Sequence, residues 1–315
     1  MLVDIHGNTI IPLTANQAIL PPSDNMLRLA KVEKKQIAKA YYDLDAEVMV
    51  RISSSEKGKF GAFSHNLAPV SLDDELYFID KKGNKVIGGL SKAFLSNEGY
   101  RVVQKGSAFG AIDSTGAVVI SIEYTNSLTS VNNGRLGVQK NASWFYVDMK
   151  GQIVSDKYDR IGNFHQGYAS VCLNKLWGAI DLQHRVVVPL EWQGVAPIVD
   201  PKLIWVKKDN LYYLYDGVQK SVRLKQGFAN ASNFDNEMAY VMSDGKWGII
   251  DPDGKVLVPC LFEKEEDMVL AKQYMLAEDK KNLTEVEALR VIARFDPDTN
   301  MFKITSVIPD KHWDY

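Results

Sequence analysis

The stretch Lys246-Trp247-Gly248-Ile249-Ile250-Asp251-Pro252-Asp253-Gly254-Lys255-Val256-Leu257-Val258-Pro259 decides the fold. It reads as a strand ending in Asp, a tight turn closed by Gly, and a second strand rich in β-branched residues. It also recurs. Trp177-Gly178-Ala179-Ile180-Asp181 leads into Val186-Val187-Val188-Pro189, and Phe109-Gly110-Ala111-Ile112-Asp113 leads into Val118-Val119-Ile120. Trp144-Phe145-Tyr146-Val147-Asp148 leads into Gln152-Ile153-Val154 in the same way, looser copies start at Ala40, Tyr77 and Tyr212, and partial ones open and close the chain. The Asp falls at 43, 80, 113, 148, 181, 216 and 251, in steps of 37, 33, 35, 33, 35 and 35 residues. Asp4 and Asp296 are candidates for two further copies. A fixed period of this size marks a repeat architecture.

Other columns follow the same phase. Phe109, Trp144, Trp177, Tyr212 and Trp247 lie four before the Asp, and Val103, Val138, Val171, Val206 and Val241 lie ten before it. Each copy therefore reads as three antiparallel strands. One such meander cannot bury its own face, so neighbours must stack. An aromatic followed by Gly implies close backbone approach or a bulge beside a large ring. Trp144, Trp177 and Trp247 are expected in the core between repeats. The recurrent Asp is expected to cap its turn through its side chain. The fold expected is all-β: about eight three-stranded antiparallel meanders in an open twisted solenoid, with a closed propeller-like ring as the alternative. Residues 1–262 form this array, and 263–315 hold a short helical insert and an atypical capping hairpin. The insert is placed at Glu263–Leu276, where acids precede apolar residues at helical spacing.

Composition narrows the function. The chain has 315 residues, with 37 Lys+Arg against 39 Asp+Glu, and a net charge of −2. That balance argues against a general nucleic-acid or anionic-membrane binder. Cys172 and Cys260 are the two cysteines, too few for a disulfide framework or a four-ligand zinc site. No apolar run is long enough to span a membrane and the first twenty residues do not read as a signal peptide, so the expectation is a soluble cytoplasmic protein. The five histidines form no metal-ligand spacing, and the chain carries no nucleophile elbow or phosphate loop. Asp251-Pro252-Asp253-Gly254 lacks the remaining ligands of a calcium loop. No cofactor, metal or catalytic residue is expected.

The residues Lys175–Asp181 and Lys246–Pro259 resemble the WG-repeat family of bacterial proteins, named for the Trp-Gly pair. At Trp144 the Gly is replaced by Phe145, and the copies ending at Asp43, Asp80 and Asp216 change both signature residues. The resemblance implies an all-β repeat scaffold that binds partners, and it implies no catalytic set. Similar scaffolds accompany bacterial toxins as immunity proteins. The function expected is therefore non-enzymatic protein binding, most concretely inhibition of a toxin or effector domain. Glycan binding on aromatic platforms is the alternative, and an enzyme with an unrecognised site is third. Candidate partner-binding residues are Trp205, turned from the Val face, the acidic run Asp73-Asp74-Glu75, and Trp313 and Tyr315 near the C-terminus. The loop Ser64–Asp74, the connection Gly194–Lys202 and the C-terminal segment are where the copies vary most.

Overall fold

The computed structural model describes residues 58–265 without a break, and outside them 2–3, 6, 9–11, 17–32, 36–50, 285–286, 291–296 and 301–307. The elements assigned among these are all strands, in antiparallel sheets that follow one another along the chain. The chain divides into two compact units, Met1–Phe164 and His165–Tyr315, and the division falls inside the repeat region.

In the first unit, Gln17–Val50, Lys59–Leu90 and Lys92–Tyr124 each hold a four-stranded sheet in sequential order. Asn126–Asp148 holds a three-stranded one, and Leu2–Val3 pairs with Thr9–Ile11. In the second unit, Gly194–Val222 and Asn230–Phe262 hold four strands each. Tyr168–Leu173, Leu176–Asp181 and Val186–Trp192 pair antiparallel in the same manner, and a three-stranded sheet spans Glu285–Val307. The repeat thus has one strand more than the three expected. The extra strand comes first and in four sheets is short: Lys59–Phe60, Asn126–Ser127, Gly194–Val195 and Asn230–Ala231 have two residues each, whereas Gln17–Ser23 and Lys92–Asn97 are longer. Two residues carry no alternation of apolar and polar side chains, so a sequence pattern cannot show them.

The loop expected at Ser64–Asp74 is corrected in part. Ala68–Leu72 is a strand, with Ala68 and Val70 buried on one face, and the turn proper is Asp73-Asp74. The helix expected from Glu263 falls on residues that, beyond Glu265, lie outside the described ones.

The core forms between consecutive sheets. Val103, Val138, Val171, Val206 and Val241 are fully buried, as are Ile112, Val147 and Ile180 just before their Asp. Trp247 is buried, while Trp144 and Trp177 are half-buried at the sheet end. Turns join one sheet to the previous one. A Cβ on Gly116 would lie 2.6 Å from a methyl of Val86, and a Cβ on Gly254 would strike Leu224. Both glycines also have φ above 80°, so the turn conformation and the contact with the preceding repeat demand the same residue.

Candidate partner-binding surface

Four sets of residues build the repeat, and what they leave exposed defines the surface. The first is the Asp column. In each copy Asp Oδ1 accepts backbone N–H groups from its own turn: Asp113 from Thr115 (2.8 Å) and Ala117 (3.1 Å), Asp148 from Lys150 and Gln152 (both 2.9 Å), Asp251 from Asp253 (3.0 Å) and Lys255 (2.8 Å). Asp181 adds an ion pair from its Oδ2 to Arg185 at 2.7 Å. Burial pushes the Asp80, Asp113 and Asp181 carboxyls up, but hydrogen bonds to their charged forms outweigh it and hold all three below the usual range. For Asp148 the bond from Gln152 is the largest influence, in the same direction. These carboxylates are committed to turns.

The second set is the Trp-Gly pair. Trp177 faces Trp192 while Ala179 faces Val188, so two steps on one strand oppose four on the next. Trp247–Phe262 with Ile249–Val258 repeats this, as does Phe109–Tyr124 with Ala111–Ile120. The bulged strand presses on the glycine. A Cβ would lie 2.5 Å from Val188 O at Gly178 and 2.6 Å from Val258 O at Gly248. Any side chain there would force the strands apart.

The third set joins repeats through large rings with polar heads. Tyr41 Oη donates to Gly61 O at 2.8 Å, Tyr146 Oη to Gly162 O at 2.6 Å, and Trp205 Nε1 to Ser232 O at 2.7 Å. Each ring also packs on the Phe two residues past that carbonyl: Phe63, Phe164 and Phe234 at centroid distances of 4.9, 4.7 and 5.9 Å. Burial raises the pKa of both tyrosines, so they stay neutral donors. Trp205 is therefore corrected as a contact residue. It is 1% exposed, because alternation turns it from the Val face into the next repeat and not into solvent.

The fourth set is a chain of turns. Asp24 Oδ2 accepts from Asn66 N at 2.8 Å, and the Glu98 carboxylate accepts from Asn133 N and Gly134 N at 2.7 and 2.8 Å. One repeat's turn thereby caps the next. Neither this set nor the ring set was legible in the sequence, since both join residues 16 to 42 apart without a shared residue type. The faint signal was Phe164 and Phe234, which fall in phase at seventeen before the Asp.

Of the acidic run, Asp73 and Asp74 are exposed and form a two-residue turn with φ of 50° and 62°. They line an open groove with Lys59 and Ser71. Glu75 is not free: Lys85 Nζ donates to both its oxygens at 2.7 Å and Gly89 N to Oε1 at 2.9 Å. The Lys85 bond is the main cause holding its carboxyl below the usual range. Trp313 and Tyr315 lie outside the described residues. Among the described residues no cluster of His, Cys, Asp and Glu side chains could hold a metal ion, and no helix is long and apolar enough to cross a membrane.

The exposed product of this frame is a series of hairpin tips. Asp73-Asp74, Asn141-Ala142, Asn174-Lys175, Asp209-Asn210 and Asp244-Gly245 all join the second and third strands of their sheets, and all ten residues have positive φ. The backbone is one shape, suited to type I′ hairpins, and the side chains differ.

Residues 109–144, 144–177, 177–212 and 247–264 match the family model of the WG containing repeat. No curated protein matches the sequence. Among solved structures the chain is similar to a eukaryotic initiation factor at 14% identity and a TM-score of 0.43, covering 77% of each chain. It is also similar to apo AztD from Citrobacter koseri (12% identity, TM-score 0.34, 90% of this chain and 91% of that one). Kluyveromyces lactis Hsv2p is similar at 11% identity and a TM-score of 0.34, over 72% of this chain and 89% of that one.

Proposed function

Residues 109–212 and 247–264 match the WG containing repeat, and from that premise we propose that the chain is a non-enzymatic protein-binding scaffold. The observation that supports this is the series of hairpin tips: one repeated backbone shape displays Asp-Asp, Asn-Ala, Asn-Lys, Asp-Asn and Asp-Gly. A constant frame with varied tips is how repeat proteins build recognition surfaces. The recurrent acids and rings are meanwhile held inside the frame. Its most concrete form is an immunity-type protein that binds and blocks a toxin or effector domain in the bacterial cytoplasm. The exposed turn acids such a partner could meet are Asp73 and Asp74 in the first unit and Asp209 and Asp244 in the second.

The test is affinity purification of the tagged protein from its own cells at low salt, with chemical cross-linking and mass spectrometry. A protein recovered in stoichiometric amount, whose own activity falls on addition of the purified chain, is the expected result. Recovery of no stoichiometric partner under these conditions would count against the reading.

A further inference from the structure

Apart from the hairpin tips, residues in phase with the repeat serve the frame, so departures from phase are the other places where a specific partner can bind. Three departures meet in the first unit around Arg101. The position twelve before the Asp holds Ala68, Leu136, Ala169, Ile204 and Ala239 in other copies, yet here it holds an arginine that is 6% exposed. Its guanidinium lies 4.7 Å from the centroid of the Phe78 ring and donates to Phe94 O at 3.2 Å and Ser64 O at 3.3 Å. Neither partner carries charge. The acid whose field reaches it, Asp24, already accepts from Asn66 N. A buried cation whose hydrogen bonds, among the described residues, go to uncharged carbonyls is costly and leaves positive potential at its mouth.

Two exposed residues flank that guanidinium. Leu95, next to Phe94, is 87% exposed on a bulge of the edge strand Lys92–Asn97. The same position holds Asn163 and Asn233 in other copies, both exposed, so the frame does not require a leucine there. His65, next to Ser64, stands where the turn cap of the next copy is Glu98. Glu98 caps the turn of the copy after it, whereas no bond from His65 reaches the Glu98-Gly99 turn among the described residues. Exposed Lys92 and Lys105 add cationic groups on the paired strands, with Lys92 Nζ 4.6 Å from the centroid of the Phe94 ring. The nearby acids, Asp24 and Glu98, are both engaged with backbone N–H groups.

We propose that the edge strand Lys92–Asn97 with the turn Ser64–Asn66 is a docking surface for a protein segment that places a carboxylate beside a large apolar side chain. The apolar group packs on Leu95, and the carboxylate meets the field of Arg101 and Lys92 beside the His65 ring. This rests on the protein-binding reading above and names the chemistry of the partner.

The experiment uses a random peptide library displayed on phage, selected against the intact chain. Selected peptides are then titrated by fluorescence anisotropy into the wild type, Leu95→Asn, Lys92→Glu and the remote control Asp209→Asn. Leu95→Asn copies the residue other repeats carry, so it leaves the fold intact, and thermal melting of each variant checks this. The expected result is peptides with Asp or Glu next to Leu, Ile, Phe or Met, whose affinity falls at least about tenfold in Leu95→Asn and Lys92→Glu and is unchanged in Asp209→Asn. Binders without an acid, or binders indifferent to Leu95→Asn and Lys92→Glu, overturn this surface while leaving protein binding elsewhere intact. A library that yields no binder also overturns it. A stoichiometric partner from cells would then still uphold the broader reading, and its absence as well would remove both.

Discussion

Residues 177–192 and 247–262 differ from 144–158 and 212–228 at the position after the leading aromatic, and the strand that follows differs with it. The first two stretches have Gly178 and Gly248 after the tryptophan, and each is followed by a seven-residue strand, Val186–Trp192 and Val256–Phe262. The other two have Phe145 and Tyr213. After Phe145 the last strand shrinks to isolated bridges at Ile153 and Tyr158, and Ser155 Oγ accepts from Tyr146 N at 2.9 Å in the gap. After Tyr213 it shrinks to Ser221–Val222, with a separate bridge at Phe228. The copy at Leu76 finds a third solution. Its third strand carries Tyr77 in the Gly slot, and the glycines move across to Gly88 and Gly89 on the fourth strand, which stays whole from Lys85 to Leu90. The lesson is that the repeat needs room for a bulge, and glycine on either side of the pair provides it.

This comparison can be broken first at Gly248. Gly248→Val puts side-chain atoms onto Val258 O and Cys260 N, and we expect a loss of about 3 kcal/mol in urea unfolding. Phe145→Val, in a copy whose fourth strand is already interrupted, is expected to cost about 1 kcal/mol. Equal losses would refute the role given to the glycine.

The joints between repeats sharpen the same contrast. Trp205→Phe keeps most of the ring packing and strands Ser232 O, so a loss of about 2 kcal/mol is expected in the same urea unfolding. Tyr146→Phe, which strands Gly162 O, should behave alike. A loss below about 0.5 kcal/mol in both would make the rings simple fillers.

The Asp turns predict a pH dependence. The folded-state pKa values of Asp80, Asp113, Asp148 and Asp181 are depressed. Their contribution is therefore complete above the unfolded value of about 3.9 and is lost as pH falls through the lower folded values. Denaturation midpoints measured from pH 7 down to pH 2 should drop in that acid window, and Asp113→Asn should cost about 1 kcal/mol at pH 7 while making the drop shallower. An unchanged profile in Asp113→Asn would show that the charge is idle.

The smallest effect is expected at Glu75. Its pair with Lys85 is solvent-exposed on both sides, so Glu75→Gln should leave the urea midpoint nearly unchanged, and salt should erase any difference.

Local chemistry was legible in the sequence. The Asp caps and the close approach at Trp-Gly could be read because each acts within a few residues of its own position. The direction of a strand face was legible too, but not what lay beyond it. Alternation correctly turned Trp205 from the Val column, yet whether solvent or another sheet waited there depends on packing between repeats. Arg101 was missed for a related reason: its partners, Ser64 O and Phe94 O, are backbone groups that any sequence has. The acidic run was visible, but the commitment of Glu75 to Lys85 across a hairpin was not.

The hairpin tips carry a consequence for what this surface can say. Positive φ at both central residues favours Asn, Asp and Gly, and the five tips use those residues at eight of ten places, with Lys and Ala at the others. The tips therefore write in a small alphabet of short, polar letters. Greasy or bulky words must be spelled elsewhere, on strand edges and bulges where the backbone imposes no such grammar, and Leu95 is such a word.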